Sequence, residues 1–443
     1  MAITPPHELT LRCYGVGFGD CFLLTFHYKG TAGDRHMLID FGCTQKPPNA
    51  GGDLMKAIAK DITAVVGSKL HAVVATHRHT DHISGFATNA KGNAPGDLIG
   101  ALKPELVIQP WTERLDAPVN SKGPKKGLAL AANDALRLAL HRMTDVAAMS
   151  LKEAEHLPKL LKNEVKFISE DFVGEKGVKN LSAVKQLAKM GKKGKAAYVQ
   201  YGSKLPTLKT LFPGVTFDVL GPPTIAQKKD VADQNPRNED EYWHFARFWG
   251  VSAATARMAT SLEGTLFPGA AVFKRGAFPI QARWFASRLR SGRGQNLLRI
   301  VRAMDDAMNN TSVILLITAG TKKLLFPGDA QWENWEHALT HNLKDLEDVD
   351  VYKVGHHGSL NATPKTLWNN FKKKSRKKSG ANRLMSVMST VTDSKHGDPE
   401  HDSEVPREKL VTALRGFSTL RTTQELEADG DLVMKITFDL TKT

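Results

Sequence analysis

The stretch THRHTDHISG, residues 76–85, places three histidines and one aspartate within six consecutive positions. The segment before it, LHAVVA, is apolar and β-branched, which predicts a buried strand. The cluster therefore follows the end of a strand, where several side chains can converge on one point. Neutral imidazoles gain nothing from contact with each other, whereas one shared cation binds all of them. We interpret the stretch as half of a metal site and not as a polar loop with histidines placed by chance.

Two later strand ends predict the other half of this site. LLFPGDAQWENW places Asp329 directly after an apolar strand, and VYKVGHHGS places His356 and His357 after another. Three strands would then present histidine and aspartate side chains at their C-terminal ends, where open α/β sheets build their sites. A carboxylate can bridge two cations, and paired cations activate water for hydrolysis. Together the motifs predict a metal-dependent hydrolase.

In their order along the chain, these motifs resemble those of the metallo-β-lactamase superfamily. HRHTDH matches its HxHxDH signature, LIDFG is similar to its early strand ending in an aspartate (Asp40), LLFPGDA resembles its bridging-aspartate motif, and VGHHGS resembles its late histidine motif. GVGFGDCFLL, NNTSVILLI and KVGHHGS are most similar to the hydrolase domain of competence DNA-internalisation proteins and its stand-alone relatives. The resemblance covers residues 9–110, 214–223 and 307–443.

The resemblance implies an α/β fold, namely a four-layered αββα sandwich with a metal site at one edge and basic, partly helical insertions. The chain then divides into the N-terminal half of the fold (1–110), a Lys/Ala-rich helical insertion (111–212), a core strand (213–223), a basic-aromatic insertion (224–306) and the C-terminal half of the fold (307–443). The two insertions resemble no segment of the family.

The resemblance also implies which residues hold the metals. The implied ligands are His77 and His79 for the first metal, Asp81 and His82 for the second, and Asp329 as the bridge. One of His356 and His357 supplies the late ligand. Because neighbouring residues of a strand face opposite sides, one of the two would bind the metal and the other face the substrate. We take His356 as the ligand and His357 as the substrate-facing residue, with the reverse as the alternative. We expect one or two divalent ions, with zinc as the first choice and manganese as the alternative.

Further residues are expected around these ligands. Asp81 would orient the nucleophile as well as bind metal. His401, in HGDPEHDSEVPREKL, resembles a loop histidine of the competence group that could donate a hydrogen bond to a substrate oxyanion; a solvated loop histidine is the alternative. Asp40, Asn309 and Asn310 are expected beside the ligands. Many superfamily members carry another histidine where AMNNTSV has the two asparagines, so the first site would be ligand-poor, which favours a harder ion such as manganese.

The charge of the chain favours a polyanionic partner. The formal net charge is +15 and the pI is about 9.5, which promotes attraction to nucleic acid. Segment 273–302 interleaves arginines with aromatic residues, a pattern suited to binding phosphates and stacking on bases. The expected phosphate-binding residues are Arg283, Arg288, Arg290 and Lys353. The run FKKKSRKKSG (371–380) is either a second such surface or a solvated loop, and a basic surface that only aids solubility is the alternative for the whole chain.

We therefore predict a phosphodiesterase or nuclease that acts on nucleic acid or on a nucleotide. The alternative is a hydrolase of a small ester, lactone or phosphoester, whose basic insertions dock a protein partner. A scaffold without activity is disfavoured because the expected ligands are intact. The three cysteines, the absence of an apolar run of about 18 residues and an N-terminus unlike a signal peptide predict a cytoplasmic protein without a membrane partner.

Overall fold

The structure is a computed structural model. It describes residues 4–30, 33–113, 157, 162, 165, 179–224, 226–228, 308–359, 363–377, 382–391 and 405–442. The elements of the first half are β1 (Glu8–Tyr14), β2 (Cys21–His27), β3 (Arg35–Phe41), α1 (Leu54–Val66), β4 (Ala72–Val74), α2 (Thr80–Ile83), α3 (Pro95–Ala101), β5 (Leu106–Pro110), α4 (Lys179–Lys193) and β6 (Lys195–Val199). The elements of the second half are α5 (Pro206–Leu211), β7 (Val215–Gly221), β8 (Ile314–Ala319), β9 (Lys322–Phe326), α6 (Trp332–Leu346), β10 (Val351–Lys353), α7 (Lys365–Asn370), β11 (Met385–Met388), α8 (Glu408–Phe417), β12 (Thr419–Thr422), α9 (Gln424–Asp429) and β13 (Val433–Asp439).

The strands form two mixed sheets. The first has the order β13-β1-β2-β3-β4-β5-β6 and the second the order β12-β11-β10-β9-β8-β7. In the first sheet the pairs from β13 to β3 are antiparallel and those from β3 to β6 are parallel. In the second, β7-β8-β9 is antiparallel and β9-β10-β11-β12 is parallel. The predicted α/β layered fold is therefore confirmed.

The two sheets share one apolar core because side chains alternate along each strand. On β2, Leu24 lies in the core that joins both sheets, whereas Leu23 lies on the outer face of the first sheet. On β8, Leu315 lies in the shared core and Leu316 on the outer face of the second sheet. The inner faces of the two sheets therefore pack against each other.

Helices cover both outer faces and complete four layers. Helices α1, α3 and α4 bury Ile58, Ile62, Ile99 and Leu187 against the first sheet, and helices α6, α7 and α8 bury Trp335, Leu367 and Leu414 against the second. Full burial of one such side chain contributes about 1.5–3 kcal/mol. None of the helices in the described ranges has both the length and the apolarity needed to cross a membrane.

One part of the predicted organisation needs correction. The range 111–212 was predicted to be a helical insertion, and α4 lies within it as the apolar spacing of VKNLSAVKQLAKM predicted. Residues 195–199, however, form β6, which pairs in parallel with β5 and extends the first sheet. The residue pattern of KAAYV does not predict a strand, because lysine and alanine are depleted in strands. The segment is extended because it pairs with β5.

Candidate metal centre

The histidine cluster lies at the edge where β4, β9 and β10 end. His77 and His79 lie in the loop after β4, and Asp81 and His82 lie on α2. The cluster is almost wholly buried, with exposed fractions of 0–5 % for the side chains of His77, His79, Asp81 and His82. The cluster also contacts the second sheet at this edge: Nε2 of His82 lies 3.0 Å from Oδ2 of Asp329, which follows β9. The strand ends predicted from the sequence thus converge.

Potential ligand atoms gather in three groups, within each of which they lie no more than 4.8 Å apart. The groups are Asp81, His82, Asp329 and His357; His77, His79 and Asp81; and Asp20, Asp40 and His82. Asp81 belongs to the first two, so its carboxylate could be shared by two cations. Its Oδ1 is buried and has no hydrogen-bond partner among the described residues, which is costly unless a ligand binds it. The residues present therefore fit a divalent metal.

The first pair of imidazoles is neutral. Nε2 of His77 and Nδ1 of His79 lie 3.0 Å apart, so two protonated rings would repel each other. Burial lowers the pKa of His77 well below its ordinary value, and neighbouring His82 and His79 lower it further. Burial also lowers the pKa of His79, to about 4. Unprotonated ring nitrogens at neutral pH are the form that binds a metal.

His82 is oriented by hydrogen bonds on its other side. Its Nδ1 donates to Oδ2 of Asp40 at 2.8 Å, and Asp40 accepts further hydrogen bonds from the backbone N–H and the hydroxyl of Thr76, both at 2.7 Å. Nε2 of His82 is thereby aimed at Asp329. Carboxylates that fix a metal-binding imidazole in this manner are typical of metal sites. Asp40 thus lies beside the ligands, where the sequence placed it.

His357 has the same arrangement as His82. Its Nδ1 donates to the carbonyl of Ser389 at 3.0 Å, and its Nε2 faces Oδ2 of Asp81 at 2.9 Å. Burial opposes the charged form of His357, but Asp81 and Asp20 outweigh it and raise its pKa. An imidazole nitrogen and a carboxylate oxygen this close favour positive charge between them, whether a proton or a metal ion.

The two consecutive histidines favour the reverse of the roles predicted from the sequence. His357 joins a potential ligand group, whereas His356 joins none in the described part of the chain. The backbone N–H of His356 donates to Oδ1 of Asp329 at 3.0 Å. Both residues have positive φ, 39° and 52°, in a turn after β10. The alternation of side chains along a strand therefore does not apply to this pair.

Lys353 contradicts its predicted role as a phosphate-binding residue. It is only 2 % exposed, forms an ion pair with Asp20, and its Nζ lies 3.6 Å from Oδ1 of Asp329. Burial alone would lower its pKa, but Asp20 and Asp329 raise it well above the ordinary value. The ammonium group is committed to internal carboxylates and balances part of their charge.

Asn309 and Asn310 are fully buried. Nδ2 of Asn310 donates to Glu333 at 2.7 Å. The following residues contact the cluster loop, because the backbone N–H of Val313 donates to the carbonyl of Thr76 at 2.9 Å. The place of the two asparagines as substitutes for a histidine stays a prediction.

Sequence reasoning missed Asp20, which lies at the end of the GVGFGD turn. Its backbone N–H donates to the carbonyl of Asp81 at 2.9 Å, and its carbonyl accepts from Gly42 at 3.0 Å. A side chain at Gly42 would collide with the backbone of Asp81 and His82. The sequence signal for this residue is the aspartate that ends the GVGFGD turn.

A buried ion pair was also missed. Arg78 lies between two predicted ligands, and its Nε donates to both carboxylate oxygens of Glu113, at 2.9 and 2.8 Å. Its Nη2 lies 2.6 Å from Oε2 of the same residue. The pair ties the cluster loop to the short 3₁₀ turn after β5. No pattern in the sequence links the two residues, which are 35 positions apart.

The remaining predicted site residues, namely Arg283, Arg288, Arg290 and His401, lie outside the described residues, and so does the rest of segment 273–302. Their roles stay predictions. Comparison of the chain with protein-family models and with curated proteins finds no match.

Proposed function

We propose that this chain is a metal-dependent hydrolase of the metallo-β-lactamase type that cleaves phosphodiester bonds in nucleic acid or a nucleotide. The observation that carries the proposal is the paired geometry of His82 and His357. In each ring Nδ1 donates to an oxygen while Nε2 faces a buried aspartate. This arrangement would orient lone pairs toward a cation, and Asp81 belongs to two of the three potential ligand groups.

The roles of the residues follow from their placement. His77, His79 and Asp81 would hold one divalent ion, and the group of Asp81, His82, Asp329 and His357 would hold another. A divalent cation there supplies Lewis acidity, which activates water at neutral pH and offsets negative charge in the transition state. Asp81, shared by both groups, would orient the attacking water.

The remaining environment keeps the ligand geometry fixed. Asp40 and Ser389 hold the imidazoles of His82 and His357 in place through their Nδ1 atoms. Two backbone N–H groups hold Asp329 in place. The N–H of His356 donates to Oδ1 of Asp329, and the N–H of Asp329 donates to Oγ of Ser312 at 3.2 Å. A preorganised ligand set costs no reorganisation when substrate binds. The side chain of His356, next to this set, would face substrate.

The metal requirement is tested by removing the shared carboxylate. Asp81→Asn is nearly isosteric and should lower the number of metal ions bound per chain and abolish hydrolysis of bis(p-nitrophenyl) phosphate. Asp218→Asn is the matched control, because Asp218 is a partly exposed carboxylate on β7 outside the ligand groups. Metal content by elemental analysis and unfolding by circular dichroism are measured on both. Full activity of a folded Asp81→Asn protein would refute the proposal.

The substrate class rests on the net charge of +15 and on the arginine-aromatic segment 273–302. Replacing Arg283, Arg288 and Arg290 by alanine should weaken cleavage of nucleic acid far more than that of a small phosphodiester. The salt dependence of binding should fall by about one unit of slope per lost phosphate contact. Equal loss on both substrates would indicate a structural role, and salt-independent turnover of a small ester would favour the alternative hydrolase.

A further inference from the structure

A second polar cleft lies at the other end of the first sheet. It has a volume of about 500 Å³ and is lined by Asp34, Arg35, His36, Ser68, Lys69 and His71, together with the end of α1. Arg35 begins β3 and His71 precedes β4, whereas the metal centre lies where β4 ends. The cleft is therefore separate from the metal centre. Its volume is in the range of small-molecule sites, about 300–1,000 Å³.

Hydrogen bonding fixes the form of His71 in this cleft. The backbone N–H of His36 donates to Nδ1 of His71 at 3.0 Å, so Nδ1 carries no proton. A neutral ring then carries its proton on Nε2 and acts there as a hydrogen-bond donor. His71 is 5 % exposed, and burial lowers its pKa to about 3. The ring, which lines the cleft, therefore carries its proton on Nε2 at neutral pH.

His36 is similarly constrained. Its Nδ1 lies 3.1 Å from the hydroxyl of Thr25. Burial lowers its pKa to about 4. The two rings are tilted, with centroids 6.0 Å apart. Two almost wholly buried imidazoles thus line the cleft, together with charged side chains, Ser68 and the end of α1.

The cleft is lined by two cationic side chains, Arg35 and Lys69, and by one carboxylate, Asp34. After burial, the charge of Arg35 is the largest cause that lowers the pKa of His71, and Lys69 acts in the same direction. The one acidic lining residue, Asp34, is engaged by Nδ1 of His27 at 2.9 Å. A metal cation would be repelled by Arg35 and Lys69, whereas an anion would gain from both.

We propose that this cleft binds the phosphate group of a small anionic ligand. The guanidinium of Arg35 supplies a planar fork of donors, Lys69 a mobile ammonium group, and His71 a neutral Nε2–H donor. Such a mixture of charged and neutral donors matches the several oxygens of a phosphate. Lys69 is engaged with Glu105, whose Oε1 lies 2.9 Å from Nζ, so Glu105 competes with the ligand for this lysine.

Because Glu105 competes with the ligand for Lys69, substitutions of these residues should change phosphate affinity in opposite directions. With metal-free protein, kept in chelator so that no phosphate binds at the metal centre, inorganic phosphate is titrated by calorimetry. Lys69→Gln and Arg35→Gln should each weaken binding about tenfold, the loss expected for one charge-assisted hydrogen bond. Glu105→Gln frees Lys69 and should strengthen binding severalfold. Lys60→Gln, which removes an exposed lysine on α1 outside the cleft, should leave it unchanged.

A spectroscopic readout locates the bound ion. In protein with ¹³C-labelled histidine, phosphate should shift the ring resonances of His71 and His36, and the shift should disappear in Arg35→Gln. Equal weakening by Lys60→Gln, no effect of Glu105→Gln, or unshifted resonances of both rings at saturating phosphate would overturn the proposal. Because chelated protein is used throughout, these outcomes do not depend on hydrolytic activity.

Discussion

Replacing Glu113 by alanine should lower the free energy of unfolding by about 3–5 kcal/mol. Arg78 and Glu113 are 5 % and 2 % exposed and are joined by contacts of 2.6–2.9 Å. The carboxylate compensates for the removal of the guanidinium from water, and alanine would leave that charge buried without it. Since domains are stable by only about 5–15 kcal/mol, the loss is a large part of the total.

A double variant tests the origin of this loss. Arg78→Met with Glu113→Leu removes both charges while keeping apolar volume, and such replacements are often neutral or stabilising. The double variant should therefore be more stable than Glu113→Ala, with a coupling energy of about 3 kcal/mol or more between the two positions. An exposed pair is the control: Arg421→Ala, which breaks a contact with Glu425, should cost less than about 1 kcal/mol.

The measurement is urea denaturation of chelated protein, followed by circular dichroism, so that metal binding does not contribute to stability. The slope of free energy against urea should not change. Because Arg78 lies between His77 and His79, Glu113→Ala should also weaken zinc binding in a competition assay. A loss of less than 1 kcal/mol, or a double variant as unstable as the sum of its single changes, would refute this reasoning.

Three further changes give distinct outcomes. Asp40→Asn removes the acceptor that orients His82 and should weaken metal affinity about 10–100-fold, measured by competition with a chromogenic chelator; unchanged affinity would contradict this role. Lys353→Met leaves Asp20 buried without its ammonium partner and should cost about 3–5 kcal/mol in urea denaturation, whereas a loss near zero would mean that the ion pair is not internal. Asn310→His should tighten zinc binding relative to manganese if the first metal lacks a ligand, and an unchanged preference in elemental analysis would argue against that.

Most strands of both sheets could be predicted from the sequence because they are apolar and β-branched and end at glycine, proline or aspartate. The positions of these strand ends in the sequence also predicted that His77, Asp329 and His357 would lie near one another. Local pattern failed at β6, where lysine and alanine become extended only by pairing with β5. The local sequence pattern also does not show how the two sheets pack against each other. The shared core could therefore be inferred only from the resemblance to a known fold.

The site was less predictable where its residues depend on backbone conformation or distant partners. The roles of His356 and His357 depend on two consecutive positive φ angles, which no strand rule contains. The burial of Lys353 depends on Asp20, which lies on the other sheet's β1–β2 turn. A lysine near a metal motif is equally compatible with phosphate binding and internal ion pairing until that turn is placed. The roles of His356 and His357 and the burial of Lys353 therefore depend on backbone conformation and long-range contacts, which sequence composition does not reveal.

The two potential ligand groups that share Asp81 differ in how far apart in the sequence their members lie. His77, His79 and Asp81 come from one short segment, whereas Asp81 and His357, in contact in the second group, are 276 residues apart. An ion bound by the second group would therefore cross-link the two halves of the sandwich. At a free metal concentration 100 times its dissociation constant, it would add about 2.7 kcal/mol to their association. Metal binding would then stabilise the packing of the two halves against each other. Chelation would weaken this packing before it disturbs either sheet.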